Sequence, residues 1–498
     1  MRFINQKYQT LNFQIFVVTG VLSTIVSCGL GLGYLSIFLE QNGADNINSF
    51  RSNSKLLGYI ETAGEIAFLP SIVIIPIVMQ KKGRRLASIV TTIPLLISWL
   101  ISFNAKNFIS VLCVNILNNI SLGGAVTISS IIISEFCDPK YRGIFLMLET
   151  GMISLGVLLS HIFGIFLHWT LVSSLGVITA LISLITTYFW PESPYWLISQ
   201  GHILKGTEVF QTLRGTAEES MEELEILLIT QKRKLQLNAL KPMKVINLRE
   251  KVTNYLKSLL KADFLKPLSI MILLFSFIGF GGENIMSNYK LTDVFNLTNG
   301  KYIGTIILDV LTLVCSLTAC VLIQIVKRKT LFLFTSSFSI IFLGFTSILL
   351  FLQSFEIFSK DYLWIVLSLV TGFVMFMSLG TTALPFSLLG EIFPMSYKGV
   401  GSSLTCAYLW AFGNTIIKSA PFVTNSIGVH GMMLLSILMM ILILILINKI
   451  MPETNAKTLL EIQQLMKLTK DGDYEVTSLT HELEESENFD RLQLFIEV

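Results

Sequence analysis

The feature that most limits what this chain can become is the length of its uncharged runs. Val17–Phe38, Leu331–Leu352 and Gly431–Ile447 contain no acid and no base. Runs of this kind match the ~20 residues that, at 1.5 Å each, cross a ~30 Å hydrocarbon layer. Composition agrees: the 498 residues are 52% hydrophobic and only 14% charged, with a mean hydropathy of +0.69. A water-soluble chain of this size needs more charge to cover its surface. The net charge of +3 is too small to point to nucleic acid, and no basic block interleaved with aromatics lies outside the loops. The opening residues are polar and the run after them is too long for a signal-peptide core, so no cleavable leader is expected.

Twelve candidate spans follow, near 14–38, 56–79, 86–103, 108–134, 145–168, 171–190, 267–289, 302–326, 331–353, 362–389, 400–424 and 429–450. Between the sixth and seventh lies a segment, 191–266, rich in Lys, Arg and Glu. It includes AEESMEELEILLITQKRKLQL, whose apolar spacing fits an amphipathic helix on the membrane surface or under the bundle. The expected organisation is a six-helix half over 1–190, a cytoplasmic helical insert over 191–266, a second half over 267–450 and an acidic tail over 451–498. Glu482, Glu484, Glu485 and Glu487 give the tail its sign; such ends are usually solubilising, and whether this one binds a cytoplasmic partner is left open.

Orientation comes from the basic residues of short loops. With both termini inside, the inner loops hold twelve Lys and Arg and the outer loops six. The sequon at Asn296 then faces outside between spans seven and eight, where a glycan can be added. A second sequon at Asn119 falls inside span four.

Three motifs occur twice. QKKGRR (80–85) pairs with QIVKRK (324–329), EFCDPKYRG (135–143) with EIFPMSYKG (391–399), and PESPYWL (191–197) with PETNAKTL (452–459). The separations, Arg84 to Arg328, Glu135 to Glu391 and Pro191 to Pro452, are 244, 256 and 261 residues. A near-constant offset, always on the inner face, implies two six-helix halves of parallel topology, the internal symmetry of a rocking transporter. Acids and bases at these helix ends are placed to pair across the seam. As exposed pairs they are worth ~0–1 kcal/mol each, so only a network of them biases a two-state equilibrium.

These motifs resemble the sugar-porter family of the major facilitator superfamily, over nearly the whole chain to about residue 465. PESPYWLISQGHILKGTEVFQTLRG is especially similar to the arthropod branch of facilitated hexose and trehalose carriers. The resemblance implies an all-α membrane protein of twelve helices in two pseudo-repeats. It also implies an inner charge network of Arg84, Arg85, Glu135, Arg142, Glu192, Glu391 and Lys398. The chain departs from the family at Gln80 and Gln324, where acids are usual, and at Asn115, where an Arg is usual. In span seven the family's glutamines fall on Ile278 and Gly279, and the conserved-type amide on Asn284. By the same resemblance Thr150, Thr312, Phe386, Trp410 and Asn414 line the sugar site, with Glu283 beside Asn284.

A sugar site needs amides, hydroxyls and aromatic faces in an apolar cavity, with no nucleophile, cofactor or metal. Gly279, Gly281 and Gly282 lie within a span and read as sites of close packing or a broken helix, not as a phosphate loop. Pro385 is placed to kink span ten. The six cysteines, Cys28, Cys113, Cys137, Cys315, Cys320 and Cys406, lie in or beside apolar runs and read as packing residues. Glu65, Glu149, Glu283 and Asp309 interrupt spans and must face water or a partner. Lys418 is a candidate partner for one of them. His161 reads as a packed, hydrogen-bonded histidine in preference to a proton relay. Span one lacks the acid that proton-coupled relatives carry, which favours facilitated diffusion. The expectation is a plasma-membrane carrier of a hexose or trehalose working by alternating access. A non-transporting sugar receptor and a carrier of a cationic or polyol solute stay open as alternatives; an enzyme is not expected, for no catalytic constellation is present.

Overall fold

A computed structural model describes residues 2–45, 54–105, 107–239, 259–281, 301–354, 363–394, 397–455 and 457–467. Among these the regular elements are all helices. That follows from the solvent: lipid offers the backbone no hydrogen-bond partner, so each spanning segment must satisfy its own N–H and C=O groups. The first half consists of α1 (Arg2–Asp45), α2 (Ser54–Lys82), α3 (Arg84–Ser102), α4 (Phe108–Phe136), α5 (Pro139–Phe166) and α6 (Trp169–Phe189). Three helices outside the spans follow, α7 (Pro194–Ser199), α8 (Ile203–Arg214) and α9 (Glu218–Ala239). The second half holds α10 (Ala262–Gly281), α11 (Lys301–Ile325), α12 (Arg328–Ser354), α13 (Leu363–Phe376), α14 (Ala383–Leu389) and α15 (Lys398–Ile450), and α16 (Leu459–Lys467) closes the described chain.

Eleven helical stretches among the described residues are long and apolar enough to span a bilayer. The last of them, α15, runs for 53 residues, roughly 80 Å if straight and far more than one crossing requires. Gly428 divides it. Its φ of 74° and ψ of 171° lie in a region that is essentially closed to residues with a Cβ. Both ends of α15 return to the same face of the bundle, where Lys398 bonds Ser134 and the Asn448 carbonyl accepts from Lys329. The spans therefore number twelve, in two sets of six, and the protein is a multi-pass membrane protein of the expected fold class.

Each half is held together internally by polar and aromatic contacts between helices. In the first, hydroxyls and amides stitch helix to helix: Thr24 to Ser183 at 2.6 Å, the Trp99 indole to Ser27 at 2.8 Å, Ser102 to Ser173 at 2.7 Å and Ser98 to the Asn118 side chain at 2.7 Å. Such bonds join apolar helices for which lipid removes the usual hydrophobic drive to associate. The second half has such contacts too, Thr335 with Thr381 at 3.1 Å, and adds many phenylalanines, Phe277 edge-on to Phe332 and Phe338 stacked on Phe376. Large apolar side chains such as Ile325, Phe422 and Leu434 stay outward, the surface that lipid covers.

Span ten is irregular. A π-helical turn, Met377–Thr381, joins α13 to α14, and the Thr382 amide reaches back to the Met377 carbonyl at 3.0 Å. Pro385 stands one turn on and has no N–H to offer the Thr381 carbonyl, which removes the bond a continuous α-helix would need there.

The turns α2–α3, α4–α5, α11–α12 and α14–α15 meet at one end of the bundle, called here the charged face. Under it sit α7, α8 and α9. Buried Arg214 at the end of α8 donates to Glu223 of α9 at 3.0 Å and approaches Asp138 of the α4–α5 turn at 3.4 Å, while Tyr195 of α7 donates to Glu223 at 2.5 Å. Leu459 of α16 packs into the same apolar cluster as Tyr195, Phe210 and Leu227.

Gly428→Ala should lower the unfolding free energy of the purified protein by about 1–3 kcal/mol, the cost of a Cβ in that backbone region. The matched control is Gly413→Ala, a helical site with open space around the new methyl, which should be neutral or stabilising. Denaturant titration in detergent compares the two, and equal effects would show that Gly428 is not the break point.

Candidate functional site

The charged face is built from two copies of one bonding pattern. In the first half, Arg84 at the start of α3 grips Glu135 of α4 with two bonds of 2.7 Å, and Ser193 donates to the same carboxylate at 2.6 Å. Glu192 accepts from the Arg84 and Arg85 amides at 2.6 and 3.2 Å, satisfying orphan donors at the N-terminus of α3. The second half repeats this. Arg328 at the start of α12 bonds both oxygens of Glu391 and the Thr454 hydroxyl, and Glu453 accepts from the Arg328 and Lys329 amides at 3.1 and 3.2 Å. Even the outer basic residues correspond: Arg85 donates to the Tyr188 carbonyl and Lys329 to that of Asn448.

Each half then sends one cation into the other. Arg142, seven residues after Glu135, donates its Nε to Glu391 at 2.7 Å and a terminal nitrogen to the Lys457 carbonyl. Lys398, seven residues after Glu391, donates to the Ser134 hydroxyl at 2.8 Å and faces Glu135. At the centre Ser134 donates to the Gly390 carbonyl at 2.7 Å. Ser134 and Gly390 are themselves a repeat pair, so the two halves touch at equivalent points. A Cβ on Gly390 would stand 2.1 Å from the Ser130 carbonyl oxygen, and only glycine allows this approach.

The sequence places these groups as exposed pairs. Burial changes their worth: Glu135 and Arg142 are each 1% exposed, and Glu391, Arg328 and Lys398 each 2%. Removing one partner of a buried pair costs about 3–5 kcal/mol, because the remaining charge is stranded away from water. Burial by itself would push the Glu391 carboxyl up; Arg142 and Arg328 outweigh it and hold it below the usual carboxylate range. The depressed pKa makes the pairing complete above the ordinary Glu value of about 4.3, and it is lost only as pH falls through the lower value of the closed state.

Of the seven residues expected in the network, Arg142, Glu391 and Lys398 reach across the seam. Arg84, Arg85, Glu135 and Glu192 bond within the first half. Arg328, Ser134, Ser193 and Thr454 were not singled out from sequence. Arg328 could have been, since it is the repeat partner of Arg84. The unusual Gln80 accepts at its carbonyl from the Trp196 indole at 2.9 Å, and its side chain lies against Gly399 of the other half. Asn115, where the family has Arg, bonds the Ile60 carbonyl at 2.7 Å.

The expected sugar-site residues are distributed along the interior. Glu283 and Asn284 lie outside the described residues, as does Asn296. Thr150 and Thr312 turn their hydroxyls onto their own helices, to the carbonyls of Met147 and Asp309, and the Asn414 amide bonds the Trp410 carbonyl. Phe386 packs on Phe275 at 5.2 Å between ring centroids. Next to it Ser276 shares a 2.6 Å bond with Tyr408, whose ring stacks on Phe412, and Gly279 lies against that same ring. This aromatic and hydroxyl wall joins α10, α14 and α15. Tyr408 was legible only as a neighbour of Trp410. Glu149 is 4% exposed, and its Oε1 has no hydrogen-bond partner, so it does not line open water. Lys418 pairs with Glu65 at 2.9 Å, from α15 to α2.

Arg142→Ala and Arg84→Ala should separate closure from folding. The first removes a bond between halves, the second a bond inside one. With spin labels at exposed Lys82 and Lys327, Arg142→Ala should lengthen the distance across the charged face. Arg84→Ala should instead lower thermal stability by about 3–5 kcal/mol while leaving most of the short-distance population. Reversed phenotypes would refute the division.

Comparison with known proteins places the arrangement. Residues 29–466 match the family model described as sugar (and other) transporter. Facilitated trehalose transporter Tret1 of Drosophila virilis is 26% identical over 468 residues, covering 92% of this chain and 50% of that protein. Trehalose transporter 1 of Drosophila melanogaster is 26% identical over 475 residues, covering 92% and 53%. The chain thus spans about half the length of the curated relatives it matches. Among solved structures, the major facilitator proton:xylose symporter XylE of E. coli, bound to 6-bromo-6-deoxy-D-glucose, superposes with a TM-score of 0.74. It is 18% identical, and the match covers 93% of this chain and 100% of that one.

Proposed function

The chain belongs to the sugar (and other) transporter family, and from that premise we propose that it carries a hexose or trehalose across the plasma membrane by alternating access, as a uniporter. One observation carries the reading. Each half reaches into the other with a buried cation at equivalent positions, and such contacts must break and reform as the charged face opens and closes. A protein built only to bind has no need of two matched, breakable seams. The trehalose-transporter relatives support the solute class, and the wall of Phe275, Phe386, Tyr408 and Phe412 supplies the aromatic faces and hydroxyls that bind pyranose rings.

In this reading the charged face and both termini are cytoplasmic, the segments over 191–266 and 451–498 lie in the cytoplasm, and Asn296 is extracellular. Arg142, Glu391, Lys398, Arg84, Arg85, Glu135 and Glu192 govern the balance between inward- and outward-open states. Trp410, Phe386, Thr150, Thr312, Asn414, Glu283 and Asn284 contact the solute. Span one carries no acid within its membrane run, which supports transport down a gradient without a coupled proton.

The experiment is uptake of labelled trehalose, glucose, a polyol and an organic amine into proteoliposomes. Arg142→Ala should change the maximal rate of sugar uptake several-fold and leave half-saturation within about two-fold, because the rocking equilibrium moves while the cavity is untouched. Asn284→Ala should raise half-saturation roughly five- to thirty-fold, the cost of a hydrogen bond lost in a buried site. Saturable uptake of the amine with none of sugar would replace the sugar reading with that of a cation carrier, and saturable binding without uptake would make the protein a receptor. Glycosidase treatment should increase gel mobility, and Asn296→Gln should abolish that shift.

A further inference from the structure

The contact between α5 and α11 runs the depth of the bundle with the two helices antiparallel. Gly143 lies against Ile323 near the charged face and Gly151 against Ser316 midway, and His161 bonds Asp309 toward the opposite face. The last pair differs in kind from the rest of the line. His161 Nδ1 and Asp309 Oδ2 are 2.5 Å apart, and the side chains are 17% and 15% exposed. One residue belongs to each half. His161 is nineteen residues from Arg142, roughly 28 Å along the helix, so the pair closes the seam at the end remote from the charged face.

We propose that His161 and Asp309 form a proton-binding site that fastens the two halves at the face opposite the Arg142–Glu391 lock. The chemistry follows from the partners. A carboxylate in this setting needs a neighbour, and imidazole is the side chain whose charge ordinarily changes between pH 5 and 8. With a proton bound, the pair is imidazolium and carboxylate, and it draws α5 toward α11. Without it, a neutral ring meets the carboxylate, and the attraction across the seam falls.

Among the described residues no other charge lies at this level of the α5–α11 contact; the pair Lys418–Glu65 joins the halves elsewhere, between α15 and α2. On α1, Gly33 borders the ring, and a Cβ there would lie 3.5 Å from Nε2. Tyr34 turns its ring to Trp99 and Trp169. The charged residues nearest along α1 and α11 are Glu40 and Lys301, seven and eight residues further toward the opposite face. On α5 itself Glu149 and Arg142 lie twelve and nineteen residues away, and α4 offers only Glu135 at the charged face. Neither α6, α13 nor α14 contains a charged side chain, and the bases of α12, Arg328 and Lys329, are at the charged face. Among the described residues, the pair is therefore the one place on this interface where an imidazole meets a carboxylate.

The test reads the seam directly and does not depend on which solute is carried. Spin labels at Phe166 and Ile307, 68% and 50% exposed on α5 and α11, are placed in the full chain reconstituted in lipid. Their distance distribution is measured from pH 5.5 to 8. The wild-type chain should shift from a narrow, short distance at low pH to a longer, broader one at high pH. His161→Gln and Asp309→Asn should each abolish that dependence. Asp309→Glu should keep it, and so should His168→Gln, which removes a histidine at the same face. In uptake assays the wild-type rate should fall about three- to ten-fold from pH 7.5 to 5.5, since a fastened seam opens less often, and the His161→Gln rate should stay flat. A wild-type distance distribution that ignores pH overturns the proposal, as does a pH response surviving in His161→Gln. If uptake of every sugar fails while the pH-dependent distances persist, the sugar reading falls and the proton site stands.

Discussion

Everything at the charged face depends on the cost of keeping charge away from water. Glu391 is tolerable in the closed bundle only because two guanidiniums, one from each half, surround it. That requirement sets the positions of α5 and α12 relative to α14, and through them the distance between halves. Opening the face exposes the same groups to water, which solvates them almost as well. A buried ion network can thus hold a definite geometry and yet be left at modest net cost, because the gain in pairing and the penalty of desolvation are both large and nearly cancel. A hydrophobic seam of the same area would be harder to leave and would offer no partner in the open state.

The two cations that cross between halves at the charged face are equivalent in position and unlike in chemistry. Arg142 places a planar fork against a carboxylate and a carbonyl, a directional contact. Lys398 places a compact ammonium beside the Ser134 hydroxyl and Glu135, a contact that tolerates rotation. The fold is therefore symmetric in its backbone plan and asymmetric in how tightly each side is fastened, and the tighter side also engages the Lys457 carbonyl beyond the last span.

Most of the architecture could be read from the sequence because lipid imposes a length on every apolar run and the repeat imposes a count. The motif spacing also located the acids and bases of the charged face. Their burial could not be read. Whether Glu135 is a surface acid or sits at 1% exposure depends on α7 and the α2–α3 turn closing over it, a tertiary outcome with no local signature. The offset paired Arg328 with Arg84, but its motif, QIVKRK, departs from GRR, and nothing local marks it as a partner of Glu391. Lys418 and Glu65, like His161 and Asp309, lie in opposite halves, and no local spacing rule reports such a meeting. The aromatic and hydroxyl wall was least legible, since Ser276 and Tyr408 match no motif and are joined only by the packing of α10 on α15.

The break at Gly428 has a mechanical consequence. Lys398 at one end of α15 and Asn448 near the other are both bound at the charged face, while the elbow between them stands thirty residues from the first and twenty from the second, roughly 45 and 30 Å along the helix. Two struts pinned at one level and joined at an apex form a truss. Such a frame resists bending, so its two struts are held as a unit. Spans eleven and twelve thus form one frame hinged on the buried charges, so the contacts at its two feet also set the position of its apex.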